Sequence, residues 1–410
     1  MKLKCKRIGS LLLALCMLMT MLPVQVAAAV DGTFTDNGLE YKVLTEDGDA
    51  KTGTVALTGY EGSKPSGSFT VAEAVYDSGI RYTVTEIGDE AFKFCDFVNL
   101  TIPDSVEDIG DEAFADCEEL ASLSLGSSVR TIGESAFAYC GKLESVTIPA
   151  SVEAIGNDAF NQCGSLTAFT AASDNPNFSA EGGVLYDKSG ETMVIYPPGK
   201  ADTSFSIPAL VKTIGAYAFA RCDNLESITI GGSVETIGES SFAYCENLES
   251  VTIGSSVKVI GEKAFSNCYS LESVIFEANS SLETIGDGAF GYCISLISLT
   301  LPDSLESIGA SAFGYCDSLE SINIPASVNT IGDQAFYVIP KLATITVAPD
   351  NGYFSAEDNV LYDKAKTLLI RYLPGKTDTS FSVPASVVTI GEGAFYACGK
   401  RPRQHKRTGR

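Results

Sequence analysis

An Ile-Gly pair with a Phe five residues after the Ile returns eleven times along the chain, beginning at Ile87, Ile109, Ile132, Ile155, Ile214, Ile237, Ile260, Ile285, Ile308, Ile331 and Ile390. The residue before the Phe is Ala in ten copies and Ser241 in the other. The step from Ile237 to Ile260 is 23 residues. Self-similarity at such a period is the signature of a solenoid. A winding of that length cannot bury its own apolar face, so each covers its neighbour's.

Within one winding, Leu143-x-x-Val146-x-Ile148 reads as a strand whose apolar residues point inward while Ser145 and Thr147 alternate outward. Val152 and Ile155 return to the core, and Gly156 is expected to permit a tight turn. Ala159-Phe160 is expected in a short helical or 3-10 turn on the opposite, convex side. The fold class read from the period is thus a solenoid of stacked windings with strands on one face, short helical turns on the convex face and a β-rich N-terminal cap.

Residues 1–29 have the composition of a signal peptide: Lys2, Lys4, Lys6 and Arg7, an apolar run from Ile8 to Leu22, and Ala27-Ala28-Ala29. Residues 30–80 lack the repeat, are rich in β-formers and turn residues, and read as the cap. The solenoid is expected over 81–399. It carries two insertions, at about 167–207 and 343–383, that match at an offset of 176: Val184-Leu185-Tyr186-Asp187-Lys188 returns as Val360-Leu361-Tyr362-Asp363-Lys364. The first, from Leu185-Tyr186 to Tyr196-Pro197, reads as a β-hairpin on a wider winding. Residues 400–410 hold six cations and no acid, and disorder is expected there. That tail reads as sequence foreign to the repeat, the product of a frameshift or truncation; a functional basic tail is the other reading.

Removal of residues 1–29 takes four of the 28 basic residues and none of the 52 acidic ones, leaving a charge near −28. That opposes nucleic acid and anionic membrane as partners. No membrane span is expected in the mature chain, and a secreted monomer is.

Chemistry has little material. The sole His is His405, in the tail, so no histidine-based triad or zinc site stands in the repeats. The carboxylates recur with the period, as at Glu226, Glu249, Glu272 and Glu320, and read as a solvated rim. Gly375-Lys376-Thr377 ends like a phosphate loop, but Ile370 stands where its first Gly is needed. Asp174-Asn175 and Asp350-Asn351 lack the spaced oxygens of a calcium loop. Ten of the twelve cysteines stand three residues after a repeat Phe, and Ile339 replaces the eleventh. A slot that accepts Cys or Ile is a small buried apolar slot, so free thiols are expected; disulfides between windings are the alternative. No enzyme activity, cofactor or metal is expected.

The phrase Ile-Gly-x-x-Ala-Phe-x-x-Cys-x-x-Leu-x-x-Val-x-Ile-Pro-x-Ser-Val resembles the BspA-type bacterial leucine-rich repeat over roughly residues 80–398. The resemblance implies a right-handed leucine-rich repeat solenoid with a parallel β-sheet on the concave face, and a secreted or surface-attached protein; some relatives serve as adhesins, while most have no known ligand. The outward side chains of the strand face, mostly hydroxyls, then become the candidate ligand surface: Ser145, Thr147, Ser227, Thr229, Ser250, Thr252, Ser273, Ile275, Ser298, Thr300, Ser321 and Asn323. Small polar side chains in rows suit an extended extracellular protein or glycan; plain solubility of the strands explains them too. Tyr186, Tyr196, Tyr362 and Tyr372 on the hairpins are further contact points or core residues. Adhesion to host matrix or other cells is the leading function. A structural spacer for a longer surface protein is the alternative, and a polysaccharide-processing enzyme the third.

Overall fold

The structure, a computed structural model, describes residues 32–373 and 381–396. The expected signal peptide and basic tail lie outside these residues, as does Cys398.

Each regular winding makes three ladders with the next. The first is the long strand, as in Ser227–Ile230, Ser250–Ile253 and Ser273–Phe276, paired parallel with Ser227 against Ser250 and Ser250 against Ser273. This is the parallel sheet the Leu-x-x-Val-x-Ile pattern requires. The second is the two-residue strand that ends on the repeat Ile, as in Thr236–Ile237 and Val259–Ile260, also parallel.

The third ladder corrects an expectation. Among the described residues no helix forms around the repeat Phe; the segment is a chain of tight turns. Two residues per winding, two before and two after the Phe, adopt the left-handed conformation, as Ser240 (φ 50°) and Tyr244 (φ 60°) do. Alternation of hand turns every second N–H along the solenoid. Ser240, Phe242 and Tyr244 donate to the Glu262, Ala264 and Ser266 carbonyls at 2.7–2.8 Å, while Ser241, Ala243 and Cys245 close turns onto residues three back. A helix would spend all of these donors within the winding and leave the neighbour's carbonyls unpaired.

The repeat Gly opens the first of these turns, as Gly238 does by accepting from the Ser241 N–H, but not through a left-handed backbone. None of the Ile-Gly glycines has a positive φ. A Cβ on Gly261 would lie 2.7 Å from the Gly238 carbonyl carbon, and one on Gly133 2.5 Å from that of Gly110. Backbones of successive windings touch here, so no side chain fits.

The Phe column forms as expected. Phe219, Phe242, Phe265, Phe290 and Phe313 stack with centroids 4.7–5.6 Å apart, and all are buried. The nine described cysteines are free and buried, and each from Cys117 to Cys316 donates its thiol to a carbonyl one winding back, as Cys268 does to Phe242 O at 3.1 Å. Ile339, in the same slot, is fully buried.

Residues of the expected cap extend both ladders. Leu39–Asp47 and Thr52–Tyr60 are antiparallel; Thr52–Tyr60 then pairs parallel with Ile80–Ile87, which begins the short-strand ladder. Ser66–Thr70 pairs parallel with Asp96–Thr101 and begins the long one.

Each insertion holds one strand more than the hairpin expected. Phe178–Glu181, Val184–Asp187 and Thr192–Ile195 form an antiparallel meander whose last strand pairs parallel with Thr213–Ile214. The second insertion repeats this as Phe354–Glu357, Val360–Asp363 and Leu368–Tyr372. Both meanders are anchored by a buried Asn. Asn351 Nδ2 donates to Pro325 O at 2.7 Å and Val328 O at 2.9 Å, and its Oδ1 accepts from the N–H groups of Tyr353 and Phe354; Asn175 does the same with Pro149, Val152, Asn177 and Phe178. Both side-chain polar atoms of each Asn are thus committed to the backbone.

Candidate functional site

The expected ligand residues all come to one face. Ser145, Thr147, Thr229, Ile275, Ser298, Thr300, Ser321 and Asn323 are exposed, and Ser227, Ser250, Thr252 and Ser273 are half-buried. The two-residue period of the strand forces this, because Val251 and Ile253 between and beyond them are buried. Register then turns spacing into columns. Ser204, Ser227, Ser250 and Ser273 stand in one row, and Ser206, Thr229, Thr252 and Ile275 in the next. Some hydroxyls bond along a column: Thr147 Oγ1 and Thr170 Oγ1 are 2.9 Å apart, and Thr346 Oγ1 donates to Asn323 Oδ1 at 2.8 Å.

The face is not continuous, which the periodicity did not reveal. Strands Ala168–Ala171 and Ser204–Ser206 belong to different sheets, and so do Ser273–Phe276 and Ser298–Leu299; Ser122–Ser124 and Ser145–Ile148 are likewise in different sheets. The first break is the work of the insertion. The second comes from a winding two residues longer than its neighbours, since Ile260 to Ile285 is 25 residues. The extra chain, at Ala278 and Asn279, opens a groove of about 470 Å³ lined by Ile275, Phe276, Asn279, Thr300, Leu301 and Asp303. Ile275, 55% exposed, is the one large apolar side chain of its column turned to solvent.

The hairpin tyrosines are not contact points. Tyr186, Tyr196, Tyr362 and Tyr372 are buried. Tyr196 and Tyr372 continue the Phe column, stacking on Phe219 at 4.8 Å and on Phe395 at 5.4 Å. Four exposed aromatics stand instead on the turn face two residues after the Phe: Phe94, Tyr139, Tyr244 and Tyr292. Tyr292 and Tyr315 stack at 4.3 Å, and Arg221 lies over Tyr244 at 4.2 Å. The recurring Tyr-Cys dipeptide was the signal for this stripe.

The buried thiols are not nucleophiles. Burial pushes Cys95 up to about 11 and Cys117 and Cys245 up to about 12. A thiol that is protonated at neutral pH and sealed from solvent has no reactive thiolate. Among the described residues no group of His, Cys, Asp and Glu is placed to hold a metal, and no helix is long and apolar enough to cross a membrane.

The profile of the family described as "BspA type Leucine rich repeat region" matches in six copies over residues 67–181, 200–286 and 276–366. No curated protein sequence matches the chain. Among solved structures, a leucine-rich repeat protein from Eubacterium ventriosum is similar with a TM-score of 0.54 and 26% identity, covering 80% of this chain and 98% of that one. The pneumococcal vaccine antigen PcpA is similar with a TM-score of 0.51 and 20% identity over 88% of this chain and 93% of its own. A leucine-rich cell surface protein from Faecalibacterium prausnitzii has a TM-score of 0.44 and 24% identity over 77% of this chain and 95% of its own.

Proposed function

The chain belongs to the BspA-type leucine-rich repeat family, and on that premise we propose that it is an exported, non-enzymatic surface repeat protein that holds an extended extracellular protein or glycan against its strand face. The observation that carries this reading is the groove beside Ile275, which interrupts two aligned rows of small hydroxyls. Rows of Ser and Thr at strand spacing offer hydrogen bonds without a steric barrier, and the groove adds a recess with the apolar Ile275 side chain at its edge and polar groups in its lining. Similarity in fold to a pneumococcal antigen supports surface display, and a strongly acidic chain is suited to solubility outside the cell.

The test uses the full mature chain on arrays of matrix proteins and glycans, beside two variants, Thr252→Lys and Ile275→Lys. Both positions reach solvent, so the fold should survive, which circular dichroism checks. The expected result is a ligand whose affinity falls about tenfold or more in both variants. Equal affinity in the variants overturns the assignment of the face. Absence of any ligand leaves the spacer reading in its place.

A further inference from the structure

The two insertions build the same cleft twice on the turn face, and the two copies are filled differently. In a regular winding the turn donates three N–H groups to the next turn, as Ser135, Phe137 and Tyr139 do to Asn157, Ala159 and Asn161 at 2.8–2.9 Å. After Phe160 the chain leaves for the meander, and the next layer of the stack is the strand Thr192–Ile195 with Tyr196, not a turn. A cavity of about 60 Å³ results, lined among others by Asp158, Asn161, Ile195, Tyr196 and Tyr217. Asp158 Oδ1 and Asn161 Oδ1 are both buried in its neighbourhood with no hydrogen-bond partner from the chain. Buried acceptors without donors are costly, and a carboxylate more than most.

The sister cleft, 176 residues on, shows what this geometry accommodates. Gln334 stands for Asp158, Tyr337 for Asn161, and Arg371 for Ile195. Arg371 is 3% exposed, and its Nη1 donates to Gly393 O at 2.6 Å. The cavity there falls to about 10 Å³. The duplicated unit thus fills one copy with its own guanidinium. The other copy replaces that arginine by Ile195 and presents an additional carboxylate.

We propose that the first cleft receives the guanidinium of an arginine from a basic partner polypeptide, held by Asp158 and Asn161 in the place that the sister cleft gives to Arg371. The chain's formal charge of −24 favours approach of such a partner. The nearby Arg221 does not fill the role. Its guanidinium lies over the Tyr244 ring, and with the Gln162 amide oriented to satisfy both groups it donates to that oxygen at 2.6 and 3.0 Å. Burial, with Glu134 adding repulsion and Arg221 opposing both, pushes the Asp158 carboxyl up to about 6; Tyr217 is the other titratable group against it. A guanidinium needs the ionised carboxylate, so capture should weaken as pH falls from 7.5 to 5.

The probe is N-acetyl-arginine amide, titrated into the full mature chain and followed by calorimetry and by thermal shift. Saturable binding in the millimolar range is expected, weaker at pH 5, with the uncharged citrulline analogue inert. Asp158→Asn should weaken binding about tenfold or more. Ile195→Arg should plug the cleft as Arg371 does, abolish binding and raise the melting temperature. Should Ile195→Arg fail to fold, Asp158→Asn, which keeps the shape of the side chain, still decides. Absence of saturable binding, equal binding of citrulline, or undiminished binding in a folded variant overturns the proposal. None of these outcomes touches the strand face, so the surface-protein reading stands or falls separately.

Discussion

A single aromatic ring in the middle of the stack has two identical neighbours and no exposure. Phe265 lies 5.0 Å from Phe242 and 5.3 Å from Phe290 with near-parallel planes. Removing it empties a slot that the rigid backbones on either side cannot close. Phe265→Ala should therefore cost about 3–5 kcal/mol, measured by urea denaturation; a loss below about 1 kcal/mol would mean the column does not carry the core. The glycine columns make the opposite prediction, of too much material. Gly261→Ala places a methyl group 2.7 Å from the Gly238 carbonyl carbon, in contact with backbone that has nowhere to go. It should destabilise by about 1–3 kcal/mol, read in the same titration. An unchanged midpoint would show that the windings are spaced more loosely than described.

At the scale of the element, the turn ladder places non-glycine residues where L-amino acids are strained. Position two before the Phe is Gly in two windings, Gly288 and Gly393, and a side-chain-bearing residue in the others. Ser311 adopts φ 51° there. Ser311→Gly relieves the left-handed cost and gives back part of it as unfolded-state entropy, so a net gain of about 0.5–1 kcal/mol is expected by thermal or chemical denaturation. A loss would show that Ser311 makes an interaction worth more than the strain. These turns also mark where sequence reasoning stopped. Apolar periodicity placed Leu143, Val146, Ile148 and Phe160 in the core and Ser145 and Thr147 on the outer face, because burial and a two-residue period leave a plain trace in residue type. It could not distinguish a helical turn from alternating-hand turns, since both bury one Ala-Phe pair. Nor could it show the groove at Ile275, which depends on two extra residues in one winding, or decide between contact and core for the hairpin tyrosines, which serve as core.

For the whole molecule, register that aligns apolar residues also aligns charges. Glu226, Glu249 and Glu272 sit on consecutive windings linked by backbone hydrogen bonds of 2.8–2.9 Å, all three exposed. Lysines offset a few of these columns, as Lys258 does with Glu235 at 2.8 Å and Lys142 with Glu119 at 2.5 Å. Such exposed pairs contribute about 0–1 kcal/mol each and leave a large surplus of acid. Stability should therefore rise with salt: a melting temperature several degrees higher at ~0.5 M sodium chloride than at ~10 mM, where screening is weak. A fall on adding salt would mean that the ion pairs outweigh the repulsion.

The first meander has a consequence for strength. It breaks the aromatic column: Phe137 stacks on Phe160 at 7° between planes, Phe160 meets Phe169 edge-on at 74°, and the stack resumes only at Tyr196 and Phe219. Two buried clusters meet at that joint, one reaching Phe178 and Leu185 and the other starting at Val184 and Tyr186. Pulled from both ends, as a tether between a cell and whatever it grips would be, the molecule should give way in instalments rather than at once. Single-molecule extension traces would show rupture events separated by the lengths of these blocks. A stack built this way sheds load at one joint while most of its length stays folded.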